Sequence, residues 1–378
     1  MARWQFWKSV DKNKYKSRPL RRTNLTLESL EDRTLMSAAA ITQHLLPAMS
    51  ATAVTQHVPA PPVPGLTVAP GYTVTTFATN PSGSSQPDSI VVDGAKVFVA
   101  YGNGVAKDGT DGKSSTIVQY TTAGTIVQTF SVLGHNDGLK VDPETHLLWA
   151  LQNEDGNPNL VVINPRTGKT TRYTLPAVNG GGYDDITFLR GKVYMTASAP
   201  AKNPNTDPAV VRITLHGSKA TITPVLLGNA IATNLVTKLQ VRLNLQDPDS
   251  MPADRSGNLV LTSQADNELV IIKHPGASNQ SVTLLPLTNA TNKPVSVDDT
   301  LFPRGSGGEI LMTDLGGTIY RITGPAVRSG LALSAAPDIG QLGSLNTDTG
   351  IFTPVITGLS SPRGLAFLHH HEQGQNGE

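Results

Sequence analysis

Five aspartates, Asp88, Asp137, Asp185, Asp249 and Asp299, stand in a short recurring pattern of a turn, an acid and a brief apolar run. Its fullest copy is Gly134-His135-Asn136-Asp137-Gly138-Leu139-Lys140-Val141-Asp142-Pro143, and a sixth copy, Ser361-Pro362-Arg363-Gly364-Leu365, has Arg where the others have the acid. Carboxylates brought together repel unless a cation or hydrogen-bond donors compensate them. A hard ion such as Ca²⁺ takes Asp, Asn and Glu oxygens, so one expectation is a metal held by a subset of the five, chiefly Asp137, Asp185 and Asp249. The other is structural: an Asp before a strand accepts hydrogen bonds from backbone N–H groups of its own turn or of the neighbouring unit. His135, next to the pattern, is a candidate general base or ligand, with Asp249 as the carboxylate candidate for catalysis. Asp137, Asn153, Glu154 and Arg363 are the candidates for ligand binding, Arg363 offering a planar cation to a carboxylate or phosphate. Asp93, Asp142 and Asp254 fall at ordinary turns on the opposite side of the repeats.

The elements that must position these groups are strands. Successive anchors from Asp88 to Arg363 lie 49, 48, 64, 50 and 64 residues apart, and a period near fifty in a strand-rich chain is that of a propeller blade. Val/Ile/Leu-rich runs bounded by Gly, Pro or Asx residues come in fours: 89–93, 96–101, 115–120 and 126–132, then 139–141, 147–151, 160–163 and 170–175. A third set is 186–189, 192–197, 209–214 and 220–225, and a fourth is 250–253, 259–262, 268–273 and 281–287. The fifth begins 300–302, 309–313 and 318–323 and then turns irregular before 339–345 and 351–357. Helical periodicity is faint and confined to 229–240. The run 364–368 reads as an innermost strand and 72–78 as an outermost one, so pairing the two chain ends in one blade closes a ring of six. Five is the alternative, and the middle strands of the sixth are drawn from 324–345 or are missing.

In a four-stranded meander the lead-in to the inner strand and the loop between the second and third strands emerge on one face. That face collects the acids together with loops 102–114, 153–158, 199–208, 264–267 and 314–317. Binding or catalysis belongs there.

Composition agrees with an all-β body: 35 Gly and 27 Pro in 378 residues. The formal net charge is +1, but residues 1–36 hold nine of the 30 Lys and Arg and four of the 29 acids, which leaves 21 basic against 25 acidic residues beyond them. A body of net −4 does not suit nucleic acid. With no cysteine there are no disulfides, thiolate metal sites or Cys nucleophile. No apolar run of about 18 residues exists, so no transmembrane helix is expected. Gly-x-Ser-x-Gly, Walker, dinucleotide and His-Glu-x-x-His signatures are all missing.

Residues 1–40 read as a basic leader, 41–70 as an Ala/Thr/Pro-rich linker, 71–368 as the propeller and 369–378 as a flexible tail. Within the leader, Leu27-Glu28-Ser29-Leu30-Glu31-Asp32-Arg33-Thr34-Leu35 resembles the N-terminal segment of many exported planctomycete proteins, which implies export to the periplasm, cell surface or medium. A disordered basic arm is the alternative.

Pro248-Asp249-Ser250-Met251-Pro252-Ala253-Asp254 and Asn136-Asp137-Gly138-Leu139 resemble strand-leading motifs of the regucalcin/gluconolactonase family and related NHL-type propellers. The resemblance runs over 71–368 as a style of repeat, with Ser250 where the family has Gly. It implies a six-bladed propeller, and a divalent ion on the channel axis that activates sugar-lactone hydrolysis, with Asp249 among its ligands. Two functions are therefore expected. One is a monomeric, exported module that binds a small molecule, carbohydrate or protein on its acidic face; the other is a Ca²⁺-dependent lactone hydrolase.

Overall fold

The residues of one strand show how the body is built. Along Lys96–Tyr101, Val97, Val99 and Tyr101 face one way and Phe98 and Ala100 the other, and all five are fully buried. The first set packs with Phe77, Leu311 and Ile319, the second with Leu139, Leu148 and Ile163. A strand covered on both faces belongs to a sheet between two other sheets. Each such Val, Leu or Phe contributes roughly 1.5–3 kcal/mol by leaving water. The same division recurs in Leu148–Gln152, where Leu148 and Ala150 face back while Trp149 and Leu151 face forward.

Repeated round an axis, this gives six antiparallel sheets, a six-bladed β-propeller, in the computed structural model, which describes residues 63–303, 308–329 and 331–369. Blade I is Pro87–Asp93, Lys96–Tyr101, Ser114–Thr121 and Ile126–Leu133 from axis to rim. Blade II is Asn136–Val141, Leu148–Gln152, Asn159–Ile163 and Thr170–Thr174, and blade III is Ile186–Leu189, Lys192–Thr196, Pro208–His216 and Lys219–Leu227. Blade IV has Leu259–Ser263, Glu268–Lys273 and Ser281–Pro286, with 248–253 bridged to its inner edge through Pro248 and Ala253. Its rim is the hairpin Ile231–Asn234 and Gln240–Arg242, so the expected helix at 229–240 is replaced by strands: Thr233 and Asn234 pair in parallel with Thr283 and Leu284.

Blades V and VI depart from simple succession. Blade V runs Thr300–Leu301, Ala332–Ala336, Gln341–Leu345 and Ile351–Thr357, with Thr67–Val68 at its rim. The hairpin Gly308–Asp314 and Thr318–Thr323, read from the sequence as blade V, belongs to blade VI, between the C-terminal inner strand Pro362–His369 and the N-terminal rim strand Thr73–Thr79. The chain thus leaves blade V after one short strand, builds half of blade VI and returns through the helix Pro325–Ser329. Blade VI is complete, and 332–345 serves blade V instead. Pairing both chain ends in one sheet leaves no open edge between first and last blades. The propeller takes in residues before 71, since Leu66 and Val68 pack against the core shared by blades V and VI. Residues 1–62, and with them the export segment, lie outside the described residues.

Candidate functional site

Two consecutive residues lead into each inner strand. The first of each pair, Asp88, Asp137, Asp184, Asp249, Asp298 and Arg363, lines one cavity of about 170 Å³ at the mouth of the channel. The second layer, with Ser89, Asp185, Ser250, Asp299 and Gly364, lines a narrow space of about 30 Å³ beneath it. Five carboxylates and one guanidinium, one per blade, therefore ring the mouth. The acids expected there in blades III and V, Asp185 and Asp299, sit one residue deeper, and Asp184 and Asp298 take their places.

The deeper layer ties blades together. Asp185 accepts the Met251 N–H at 2.9 Å and pairs with Lys140 Nζ at 2.9 Å, so blades II, III and IV meet on one carboxylate. Asp299 accepts the Leu365 N–H at 2.7 Å, joining blade V to blade VI. The Ser250 hydroxyl donates to the Asp298 carbonyl at 3.0 Å. Thr187 and Thr313 hydroxyls donate to the carbonyls of Met251 and Asp88. The Asp185 and Asp299 contacts are the caps expected of an Asp before a strand, whereas Asp88, Asp137 and Asp249 face the cavity. On the opposite face Asp142 and Asp254 accept backbone N–H groups of their own turns, and Asp93 pairs with His146 at 2.8 Å.

The mouth is charged out of balance. Eight carboxylates line it, the five ring aspartates with Glu154, Asp155 and Asp247, against Lys107, Arg363 and the imidazole of His135. Arg363 pairs with Asp298 at 2.6 Å, and Lys107 with Glu154. Asp184 and Asp249 are each 8% exposed, and among the described residues no donor bonds their carboxylates. Burial first, then their acidic neighbours, hold both well above the usual carboxylate range. Burial likewise raises Asp298 and Asp247 to about 6, against the pull of Arg363 on the first and of Lys107 on the second. Asp88 is also raised by burial, despite Arg363. Charges so crowded favour whatever neutralises them, a proton or a cation.

One corner of the mouth is organised differently. Donor atoms of His135, Asp137 and Glu154 lie within 4.8 Å of one another. His135 immediately precedes the strand Asn136–Val141 and Asp137 lies within it, and Glu154 follows Leu148–Gln152, the strand paired with it. His135 Nδ1 lies 3.1 Å from the Val105 carbonyl. A carbonyl only accepts, so Nδ1 carries hydrogen and Nε2 keeps the lone pair of the neutral ring. Asn153, expected to bind ligand, does not line the cavity. Its Oδ1 accepts the His135 N–H at 3.0 Å and its Nδ2 donates to the Asn157 carbonyl at 3.1 Å, so it positions the corner. Lys107 and Asp247 had no motif to mark them; they come from loops whose reach only the fold defines.

Gly102 seals the corner from behind. A Cβ there would lie 3.0 Å from His135 Cε1. Gly102→Ala should therefore turn the imidazole without altering any charge. We expect cation affinity to drop about tenfold, as for loss of a supporting contact, with the unfolding midpoint changed little; unchanged affinity would show that the ring orientation is unimportant.

No protein-family model matches the chain, and a search of the curated proteins gives no match. Among solved structures the chain is similar to virginiamycin B lyase from Staphylococcus aureus, at 12% identity over 75% of this chain and 87% of that one, with a TM-score of 0.45. It is similar also to the periplasmic gluconolactonase of Pseudomonas aeruginosa, at 12% identity over 79% of this chain and 99% of that one, TM-score 0.46. A putative gluconolactonase matches at 13% identity over 77% and 83%, TM-score 0.45.

Proposed function

We propose that this propeller is an exported binding module that takes a small polar ligand at its channel mouth, with a divalent cation as part of the site. The observation that carries the reading is the mouth itself. Eight carboxylates face two permanent cations around about 170 Å³, and two buried acids, Asp184 and Asp249, have no protein donor among the described residues. Fully organic pockets for drug-sized ligands are about 300–1,000 Å³, so this one suits an ion with a compact polyol, or one end of a carbohydrate or peptide. No helix among the described residues is long and apolar enough to cross a membrane.

The test is calorimetric titration of the chelator-treated full chain with divalent cations, Ca²⁺ included, repeated on Asp249→Asn. One saturable site, weakened at least tenfold in the variant, is expected. Wild-type protein that binds no divalent cation would sink the reading and leave the acids as joints between blades.

A lactone hydrolase is the second reading, and one observation favours it. Asp249 lines the cavity with a carboxylate that, among the described residues, no protein donor bonds, so it can accept a proton from an attacking water held there. Hydrolysis of a panel of sugar lactones, abolished by Asp249→Asn, would decide for it.

A further inference from the structure

We propose that the corner formed by His135, Asp137 and Glu154 is a site for a first-row transition ion of the Zn²⁺ or Co²⁺ type, distinct in its donors from a calcium site. The inference rests on the cation-binding reading above and specifies the ion. Three observations carry it, the first being geometric: one imidazole and two carboxylates bring their donor atoms within 4.8 Å of one another, near enough that small side-chain rotations draw all three in to the roughly 2.0–2.2 Å per ligand that a single ion needs. The second is the state of the imidazole. Its Nδ1–H is spent on the Val105 carbonyl at 3.1 Å, the outer hydrogen bond that metal-ligating histidines make, and Nε2 is left as the donor. The third is that Asp184 and Asp249, each more than nine-tenths buried, face the same cavity with carboxylates that no protein group bonds among the described residues. They offer hydrogen-bonding oxygens to a metal-bound water.

Imidazole suits Zn²⁺, Co²⁺ and their neighbours, whereas Ca²⁺ prefers six to eight oxygens. Three protein donors leave at least one position open to the cavity, the arrangement that lets a ligand oxygen reach the ion. Lys107 is the internal competitor. Its ammonium pairs with Glu154 from a side chain that is 59% exposed, so an arriving ion displaces it into solvent at little cost.

Co²⁺ is the first probe, because its visible absorption reports nitrogen and oxygen donors directly. The chelator-treated full chain should bind one Co²⁺ or Zn²⁺ at least about 100-fold more tightly than Ca²⁺ in calorimetry. His135→Ala should remove about 100-fold of the Co²⁺ affinity and change Ca²⁺ affinity only a few-fold. Lys107→Met, on an exposed side chain that cannot unfold the blade, should tighten Co²⁺ about tenfold by removing the competitor. Equal affinity for Ca²⁺ and Co²⁺, or Co²⁺ binding untouched by both variants, overturns the proposal but leaves a cation-binding mouth. Absence of binding by every divalent ion overturns both.

Discussion

In chelator-containing buffer the thermal midpoint of the full chain should fall steadily as pH is raised from about 4 to about 8. The sign follows from the direction in which the buried acids are displaced. An unfolded carboxyl titrates near pH 4. In the folded protein burial raises Asp247 and Asp298 to about 6, Asp299 to about 7 and Glu268 to about 8. Asp184 and Asp249 move the same way. Raised groups hold protons in the folded state that the unfolded chain has released, so their stabilisation is complete below about pH 4 and is lost as pH passes the folded values. Lys140 beside Asp299 and Arg363 beside Asp298 oppose the displacement without cancelling it. A carboxyl held one pH unit too high costs the folded state about 1.4 kcal/mol once ionised. Asp249→Asn removes one such charge and should raise the midpoint at pH 8 by about 3 °C, for a gain of about 1 kcal/mol, while weakening cation binding at least tenfold. Scanning calorimetry across the range checks both. A midpoint that is flat or rises with pH would mean the ring is already compensated by the protein itself.

This coupling also explains which parts of the site could be read from residues alone. The ring was legible because one acid recurs per blade, and blades I, II and IV show it unambiguously. Asp-Asp pairs in blades III and V offered two registers, and the choice between Asp184 and Asp185, or Asp298 and Asp299, turns on which carboxylate meets a neighbouring strand's N–H. That partner is 66 residues away in both cases, beyond any local pattern. The fold was legible for the same reason, through short apolar runs in sets of four. It failed where the chain stops taking strands in order. Gly308–Asp314 is as apolar as a blade V strand should be, and only its pairing with Pro362–His369 assigns it to blade VI. At 229–240 an apolar spacing close to helical belongs to a rim hairpin, whose inner residues pack and whose Val236 and Leu239 are exposed. Loop 102–114 was placed on the correct face, but neither Lys107 within it nor Asp247 was singled out, because the reach of a loop residue into the mouth is set by the fold. His135 and Glu154 were each visible, but their convergence depends on the turn that Asn153 holds.

The contact between blades II and III should tolerate little change, and Gly138→Ala tests it. A Cβ on Gly138 would stand 2.0 Å from the Asp184 carbonyl oxygen and 3.1 Å from Leu151 Cδ1. Neither side can yield cheaply. Asp184 N–H is bonded to the Thr196 carbonyl at 3.3 Å and Asp185 N–H to the Thr196 hydroxyl at 2.8 Å, so the lead-in to blade III is pinned to its second strand. Leu151 is 1% exposed within the core between the two blades. Relief requires one blade to tilt away from the other, and we expect a loss of about 3 kcal/mol in denaturant unfolding, the upper range for an overpacked core. Gly168→Ala is the matched control. Its φ is +71° but a Cβ there meets nothing within 4 Å, so only backbone strain of about 1 kcal/mol is at stake. The two variants separate crowding from conformation, and equal losses would refute the packing account. Because the displaced carbonyl belongs to Asp184, Gly138→Ala should also weaken cation binding, whereas Gly168→Ala, in a hairpin on the opposite face, should leave it unchanged. The ring acid and the joint between two blades are the side chain and the backbone carbonyl of one residue, Asp184, which is why the site cannot be loosened without loosening the propeller.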